Sequence, residues 1–265
     1  MSPENRQYKN LPSREEQITD PVVATRDFYS EIYLRFKQDS PDSSRTSLTR
    51  RAKHFLSQLA EEESVLDLGA GRQIFEREYA RSYGKPTCQI VTFDIAKLRK
   101  RQLLTSSFRA SHIRGNGERL PFKNESFSLV VSNMALDFMP EIAIDELYRV
   151  VKPNGHVFIN LHHPDLIPEN LDELLNNKKL KKQERSVYEF WKFLRDNDKL
   201  LQDPDEIRTK FFSRGFRIIR LNEATDNRDK WWEVDLVKIP LPEWNCGYTP
   251  GVEDTARSRI FSWIL

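Results

Sequence analysis

Apolar residues along this chain fall into short runs separated by stretches of helical spacing, and that alternation sets the architecture. Val65, Leu66 and Leu68 surround Asp67 and lead into Gly69-Ala70-Gly71, after which Arg72 to Tyr83 read as a helix. A second run, Gln89-Ile90-Val91-Thr92-Phe93, ends in Asp94, and a short third, His112-Ile113-Arg114, runs into Gly115-Asn116-Gly117-Glu118. Phe127 to Ser132 reads as a fourth strand and Ile142 to Val151 as a helix. Lys152-Pro153-Asn154-Gly155 reads as a turn, and His156 to Leu161 as a fifth strand. Strands separated by helices predict an α/β fold, a parallel sheet covered on both faces. Pro204 to Arg214 reads as a helix, then Phe216 to Leu221 and Trp231 to Ile239 as strands. The loop between those two strands is too short for a helical crossover, so they should pair antiparallel.

Outside this alternation the pattern changes. Residues 1–20 are polar and should be flexible, and 21–61 should form helices covering the cleft. The first of these helices carries Val22, Val23, Phe28, Ile32, Tyr33 and Phe36 inward; the second, Thr46 to Leu59, carries Leu48, Ala52, Phe55, Leu56 and Leu59. Residues 62–161 form the core, 162–201 a charged helical insertion, and 202–240 the completion of the sheet. The insertion contains Tyr188, Phe190, Trp191 and Phe193, and the tail 241–265 is rich enough in aromatics to dock. Basic residues cluster at Lys97, Arg99, Lys100 and Arg101, on a helix expected over about 96–107, and again over 178–182.

Composition narrows the classes of function. Lys plus Arg is 42 and Asp plus Glu is 40, a net charge of +2, which predicts no strong general attraction to nucleic acid or anionic lipid. Only two cysteines occur, Cys88 and Cys246, without metal-ligand spacing, so a reduced, cytoplasmic protein with no metal site is expected. No apolar run approaches the ~20 residues that span a bilayer.

A strand that passes through Gly-X-Gly into a helix start suits a nucleotide, because glycine allows close backbone approach and the helix offers free N–H groups. Asp94, about twenty-five residues on, stands where an acid can accept hydrogen bonds from ribose hydroxyls. With the other blocks, the chain resembles a class I S-adenosylmethionine-dependent methyltransferase, close to the ubiquinone/menaquinone-biosynthesis group. The blocks are Val65 to Gly71; Thr92-Phe93-Asp94; Gly115 to Phe122 with Ser126 to Asn133; and Glu146 to Gly155, in matching order over about residues 62 to 161. The resemblance implies a Rossmann-like seven-stranded methyltransferase sheet, mostly parallel with an antiparallel last strand, and S-adenosyl-L-methionine as cofactor. It implies that Asp67, Gly69 and Gly71 line the methionine end. Asp94 then takes the ribose, Ile95 packs on adenine, Asn116 and Gly117 sit at the adenine edge, and Asn133 faces the sulfonium region. Two departures stand out: Gln73 where the family usually has a third glycine, and Asn116 where it often has an acid.

Methyl transfer from a sulfonium is an in-line displacement, so positioning and desolvation carry much of the rate. A base is needed when the acceptor must lose a proton. Candidates at the strand ends are Asp137 after the fourth strand and His162 and His163 after the fifth, His being suited to neutral pH. Each also has a plain structural reading, as a helix cap or a solvated strand end. A small-molecule acceptor under an aromatic helical lid is the favoured expectation. An RNA or protein methyltransferase using the basic 97–101 and 178–182 segments, and an inactive binding protein of the same fold, remain open. Acceptor identity and oligomeric state do not follow from the sequence.

Overall fold

The computed structural model describes residues 43–96, 110–196, 203–226 and 230–240. The expected flexible start, the first N-terminal helix, the basic 97–101 helix, and the aromatic tail from 241 lie outside the described residues.

The chain opens with α1 (Ser43–Leu56), β1 (Ser64–Leu68), α2 (Ile74–Tyr83), β2 (Gln89–Asp94) and β3 (Ala110–Arg114). Then come β4 (Phe127–Asn133), α3 (Ile142–Val150), β5 (Val151–His162), α4 (Leu171–Asn176) and α5 (Lys182–Asp196). The described part closes with α6 (Pro204–Phe212), β6 (Phe216–Thr225) and β7 (Lys230–Lys238). Together the strands form one seven-stranded sheet in the order β3-β2-β1-β4-β5-β7-β6. β1 runs parallel to β2 and β4, β4 runs parallel to β5, and β7 is antiparallel to both β5 and β6. The expected fold class is therefore observed.

Several boundaries differ from the sequence reading, and those of β5 and β6 have a local reason. The Lys152-Pro153-Asn154-Gly155 turn lies inside β5, because Val151 already pairs with Phe127 before the register jumps to Leu129↔His156. Asn154 is left-handed there (φ 59°), so the turn chemistry is real but the strand starts ahead of it. β6 extends to Thr225, four residues past Leu221, because its edge position leaves most of its side chains in water and hides the apolar period. At the second N-terminal helix, α1 begins and ends three residues earlier than its apolar spacing suggested.

The period of two along each strand sorts side chains between two cores. Leu66 and Leu68 of β1 pack with Phe127, Val130, Ile159 and Leu147 on one face. Val65 packs on the other with Leu129, Val131 and Phe158, beneath α1 (Leu48, Ala52, Leu56) and α2 (Phe75, Tyr79). Each such fully buried side chain contributes about 1.5–3 kcal/mol. Because Asp67 follows Leu66, it shares the Val65 face and is directed at α2.

α1 is fastened to that face by polar side chains rather than by its apolar stripe alone. Ser47 donates to Glu233, and the Arg51 guanidinium donates to Asp235, Asn160 Oδ1 and the Ile159 carbonyl. Asn160 Nδ2 donates in turn to Asn133 Oδ1 at 2.9 Å, joining β5 to the end of β4. On the opposite side Arg149 of α3 donates to the carbonyls of Leu120 (2.9 Å) and Phe122 (2.7 Å) while pairing with Glu146. That arrangement holds the Leu120-Pro121-Phe122 segment in place against α3.

Candidate active site

The chain lays down β1, β2 and β3 in one direction across the sheet, then returns to place β4 and β5 on the other side of β1. The carboxyl ends of β1 and β4 diverge at that reversal, which is where open α/β sheets bind ligands. A cleft open to solvent lies there. Asp67, Gly69, Gly71, Asp94, Ile95, Asn116, Gly117 and Asn133 all line it, so eight residues from separated stretches of the chain meet in one place.

The two turn glycines serve different needs. At Gly69 (φ +79°) a Cβ would lie 2.2 Å from the Ala135 Cβ, so the space is taken by the chain itself. At Gly71 (φ +49°) a Cβ would meet nothing within 4 Å; here the positive φ and the open cleft call for glycine. The turn is tied to β2, with Gly69 N–H donating to the Phe93 carbonyl at 2.8 Å and Gly71 N–H to Asp94 Oδ2 at 2.7 Å. Asp94 Oδ1 accepts from Ala96 N–H at 2.6 Å. Burial pushes the Asp94 carboxyl above its ordinary value, and those two amides oppose the push. A carboxylate has about four lone-pair sites, so two remain for a ligand. The departure at Gln73 is absorbed locally. Gln73 adopts φ 56°, the left-handed conformation the usual glycine would supply, and buries its amide against Thr92. Asn116 turns both amide atoms toward Glu118, with Nδ2 donating to Oε2 at 2.8 Å and Oδ1 accepting from the Glu118 N–H at 3.2 Å.

Asp137 and His162 come together beside this cleft. Asp137 sits in a single 3-10 turn (Leu136–Phe138) and its Oδ2 accepts from the His162 backbone N–H at 2.7 Å, with His162 Nδ1 at 2.8 Å. In the tautomer with the proton on Nδ1, His162 donates to Asp137 Oδ2 and leaves Nε2 as the acceptor. Among the described residues Asp137 Oδ1 is buried without a hydrogen-bond partner. The His162 ring packs on Phe138, which lines the cleft, at 4.5 Å, and on Trp191 of α5 at 5.6 Å. The inserted helix therefore does reach this site. His163 does not join: its ring packs on Trp232 at 4.9 Å, and its Nδ1 accepts from the Asp165 N–H. Among the described residues no group of three or more His, Cys, Asp or Glu could hold a metal ion, and no helix is long and apolar enough to cross a membrane.

Two residues absent from the sequence reading belong to the site. Arg45 of α1 lines the cleft and acts electrostatically on Asp67. Glu76 of α2 lies fully buried behind Asp67, and the two carboxyls interact. Helical spacing placed Glu76 between Phe75 and Tyr79 on an inward face, a charge where an apolar residue belongs, and that signal was available.

Residues 66–159 match the family model described as a methyltransferase domain. Over 108 residues the chain is 33% identical to malonyl-[acyl-carrier protein] O-methyltransferase of Halorhodospira halophila, covering 40% of this chain and 37% of that protein. Over 99 residues it is 32% identical to demethylmenaquinone methyltransferase of Streptomyces griseus, covering 37% and 41% respectively. The chain thus spans about two fifths of the length of these curated relatives. Its fold is similar to that of magnesium protoporphyrin IX methyltransferase from Synechocystis with bound SAH (TM-score 0.59, 13% identity), covering 83% of this chain and 100% of that one.

Proposed function

We propose that this chain, whose core is a class I S-adenosylmethionine-dependent methyltransferase domain, methylates a small molecule held against His162 beneath the helix that carries Trp191. One observation carries the reading: the eight residues expected at the cofactor line a single cleft at the reversal of strand order. The residues fit S-adenosylmethionine. Gly71 leaves open space where a side chain would intrude, Asp94 keeps acceptor capacity for ribose hydroxyls, and Asp67 and Arg45 offer opposite charges for the ammonium and carboxylate of an amino acid. Ile95, Asn116 and Gly117 would take the adenine, and Asn133, held by Asn160, would face the reacting centre.

When bound, S-adenosylmethionine would supply an electrophilic sulfonium methyl, passed in line to the acceptor as the S–C bond breaks and the thioether leaves. Asp137 holds the His162 ring in one tautomer, and Nε2 takes the proton that the acceptor loses. Phe138 and Trp191 exclude water around that ring, so the acceptor's charge develops away from bulk solvent. An oriented base suits a hydroxyl or an acidic carbon, since a carboxylate needs no proton removed. Quinol-like acceptors satisfy this, and the name of the demethylmenaquinone relative leans the same way.

The test is transfer of isotopically labelled methyl from S-adenosylmethionine to a panel of phenols, quinols and carboxylic acids. The expected result is label on phenols or quinols, with His162→Gln lowering kcat about 10²–10⁴-fold. Label on carboxylic acids alone, indifferent to His162→Gln, would contradict the assignment of the base.

A further inference from the structure

Behind the cleft, two acids occupy one dry space. Asp67, next to the last residue of β1, is 2% exposed, and Glu76, in the first turn of α2, is 0% exposed. Among the described residues no other residue donates a hydrogen bond to either Glu76 oxygen, while Asp67 is at once a wall of the cleft and the group that Glu76 meets. Two ionised carboxylates cannot share such a space without a proton between them. The charged groups around the pair are few: Asp94 from β2 and Arg45 from α1 act on Asp67, and Arg77 from α2 acts on Glu76. His112 of β3 faces Asp94 one step further out.

We propose that Glu76 is a positioning residue for the cofactor, which holds Asp67 through one shared proton and gives that proton up when an ammonium group settles on Asp67. This rests on the reading that the cleft takes S-adenosylmethionine, whose amino-acid end supplies the ammonium. In the free protein the proton bridges the two carboxyls and fixes the Asp67 rotamer toward the cleft. When the ammonium docks, it takes the place of the proton as the positive partner, and the proton leaves to solvent; no bond other than the O–H breaks. Burial pushes Glu76 up to about 7 and Asp67 well above its ordinary value, so the exchange falls near neutral pH. Glu76→Gln keeps the shape and supplies a permanent N–H donor to an ionised Asp67. The variant should therefore bind without releasing a proton from the pair.

The experiment is calorimetric titration of S-adenosylhomocysteine, which carries the same amino-acid end, into wild type and Glu76→Gln. It is run near pH ~7 in two buffers of different ionisation heat, and repeated from pH ~6 to ~8. The ligand's own amino group titrates in this range but contributes equally to both proteins. Wild type should release up to about one proton more than Glu76→Gln, and its affinity should tighten by up to about tenfold more per pH unit. Glu76→Ala should bind more weakly than Glu76→Gln, since it leaves Asp67 against a cavity. Equal proton release by wild type and Glu76→Gln overturns the proposal. A wild type that binds without releasing a proton overturns it whatever the variant does. A wild type that gives no heat of binding at all overturns the cofactor reading itself, an outcome distinct from either of these.

Discussion

Gln73 Nε2 donates to Thr92 Oγ1 across 2.9 Å, from a residue whose backbone is itself left-handed at φ 56°. The bond crosses from the start of α2 to β2 and continues to His112 Nδ1, 3.0 Å from the same hydroxyl. A left-handed backbone costs an L-residue about 1–2 kcal/mol, and a buried hydrogen bond returns about 1 kcal/mol. The turn therefore tolerates glutamine because its side chain offsets the strain its backbone carries.

Gln73→Gly removes both the strain and the bond and should leave stability within about 1 kcal/mol of wild type. Gln73→Ala loses the bond but keeps the strain, and should be less stable than Gln73→Gly by roughly 1 kcal/mol. Denaturant midpoints of the two variants check the order; alanine equal to or above glycine would refute it.

Burial raises the Glu76 carboxyl from its ordinary value to about 7. A group raised on folding contributes stability that is present below its unfolded value and lost as pH rises through the folded one. Wild type should thus lose stability between about pH 4.5 and 7, the window of that shift. Glu76→Gln should match wild type near the acid end and exceed it on the order of 1–3 kcal/mol at mildly alkaline pH. Melting temperatures across the range, without cofactor, decide it; a constant difference would contradict the sign.

Arg51 is buried and donates to Asp235 and Asn160 at the centre of the contact between α1 and the sheet. Burial lowers its pKa while Asp235 and Glu233 hold the charge on. Arg51→Met should destabilise by about 3–5 kcal/mol, because Asp235 is left charged and unpaired. The double variant Arg51→Met/Asp235→Leu should recover most of that loss. Chemical denaturation of the three variants tests both halves.

Asp137→Asn should lower kcat about 10²-fold or more, since an amide no longer fixes the His162 ring in the tautomer that leaves Nε2 free. Cofactor affinity should be unchanged, because neither residue lines the cofactor cleft. Trp191→Ala should act mainly on KM for the acceptor. Steady-state kinetics with a competent acceptor separates the two effects.

The sheet and the cleft were largely legible in the sequence because they are written locally. Short continuous apolar runs mark β1, β2 and β4, and Gly69 and Gly71 mark the turn, while Asp67 and Asp94 stand at or next to the ends of their strands. What escaped is set by contacts distant in sequence. Ser47 finds Glu233 across 186 positions, and no local pattern announces that pairing or brings Arg45 to the cleft. Asp137 and His162 were each visible as candidates, but only the closing of β5 beside β4 makes them partners, and it turns His163 toward Trp232 instead. β6 was read short because this edge strand shows most of its positions to water, and the turn before His156 hid that β5 had already begun.

The central claim is that Asp94 and the glycine turn hold the nucleoside of S-adenosylmethionine, and calorimetric titration of wild type and Asp94→Ala with S-adenosylmethionine and S-adenosylhomocysteine tests it most directly. Saturable binding of both ligands by wild type, weakened by about 1.5–3 kcal/mol in a folded Asp94→Ala variant, is the predicted result, since that is the worth of hydrogen bonds to a charged group. Binding that Asp94→Ala leaves unchanged, or no binding by folded wild type, would contradict it.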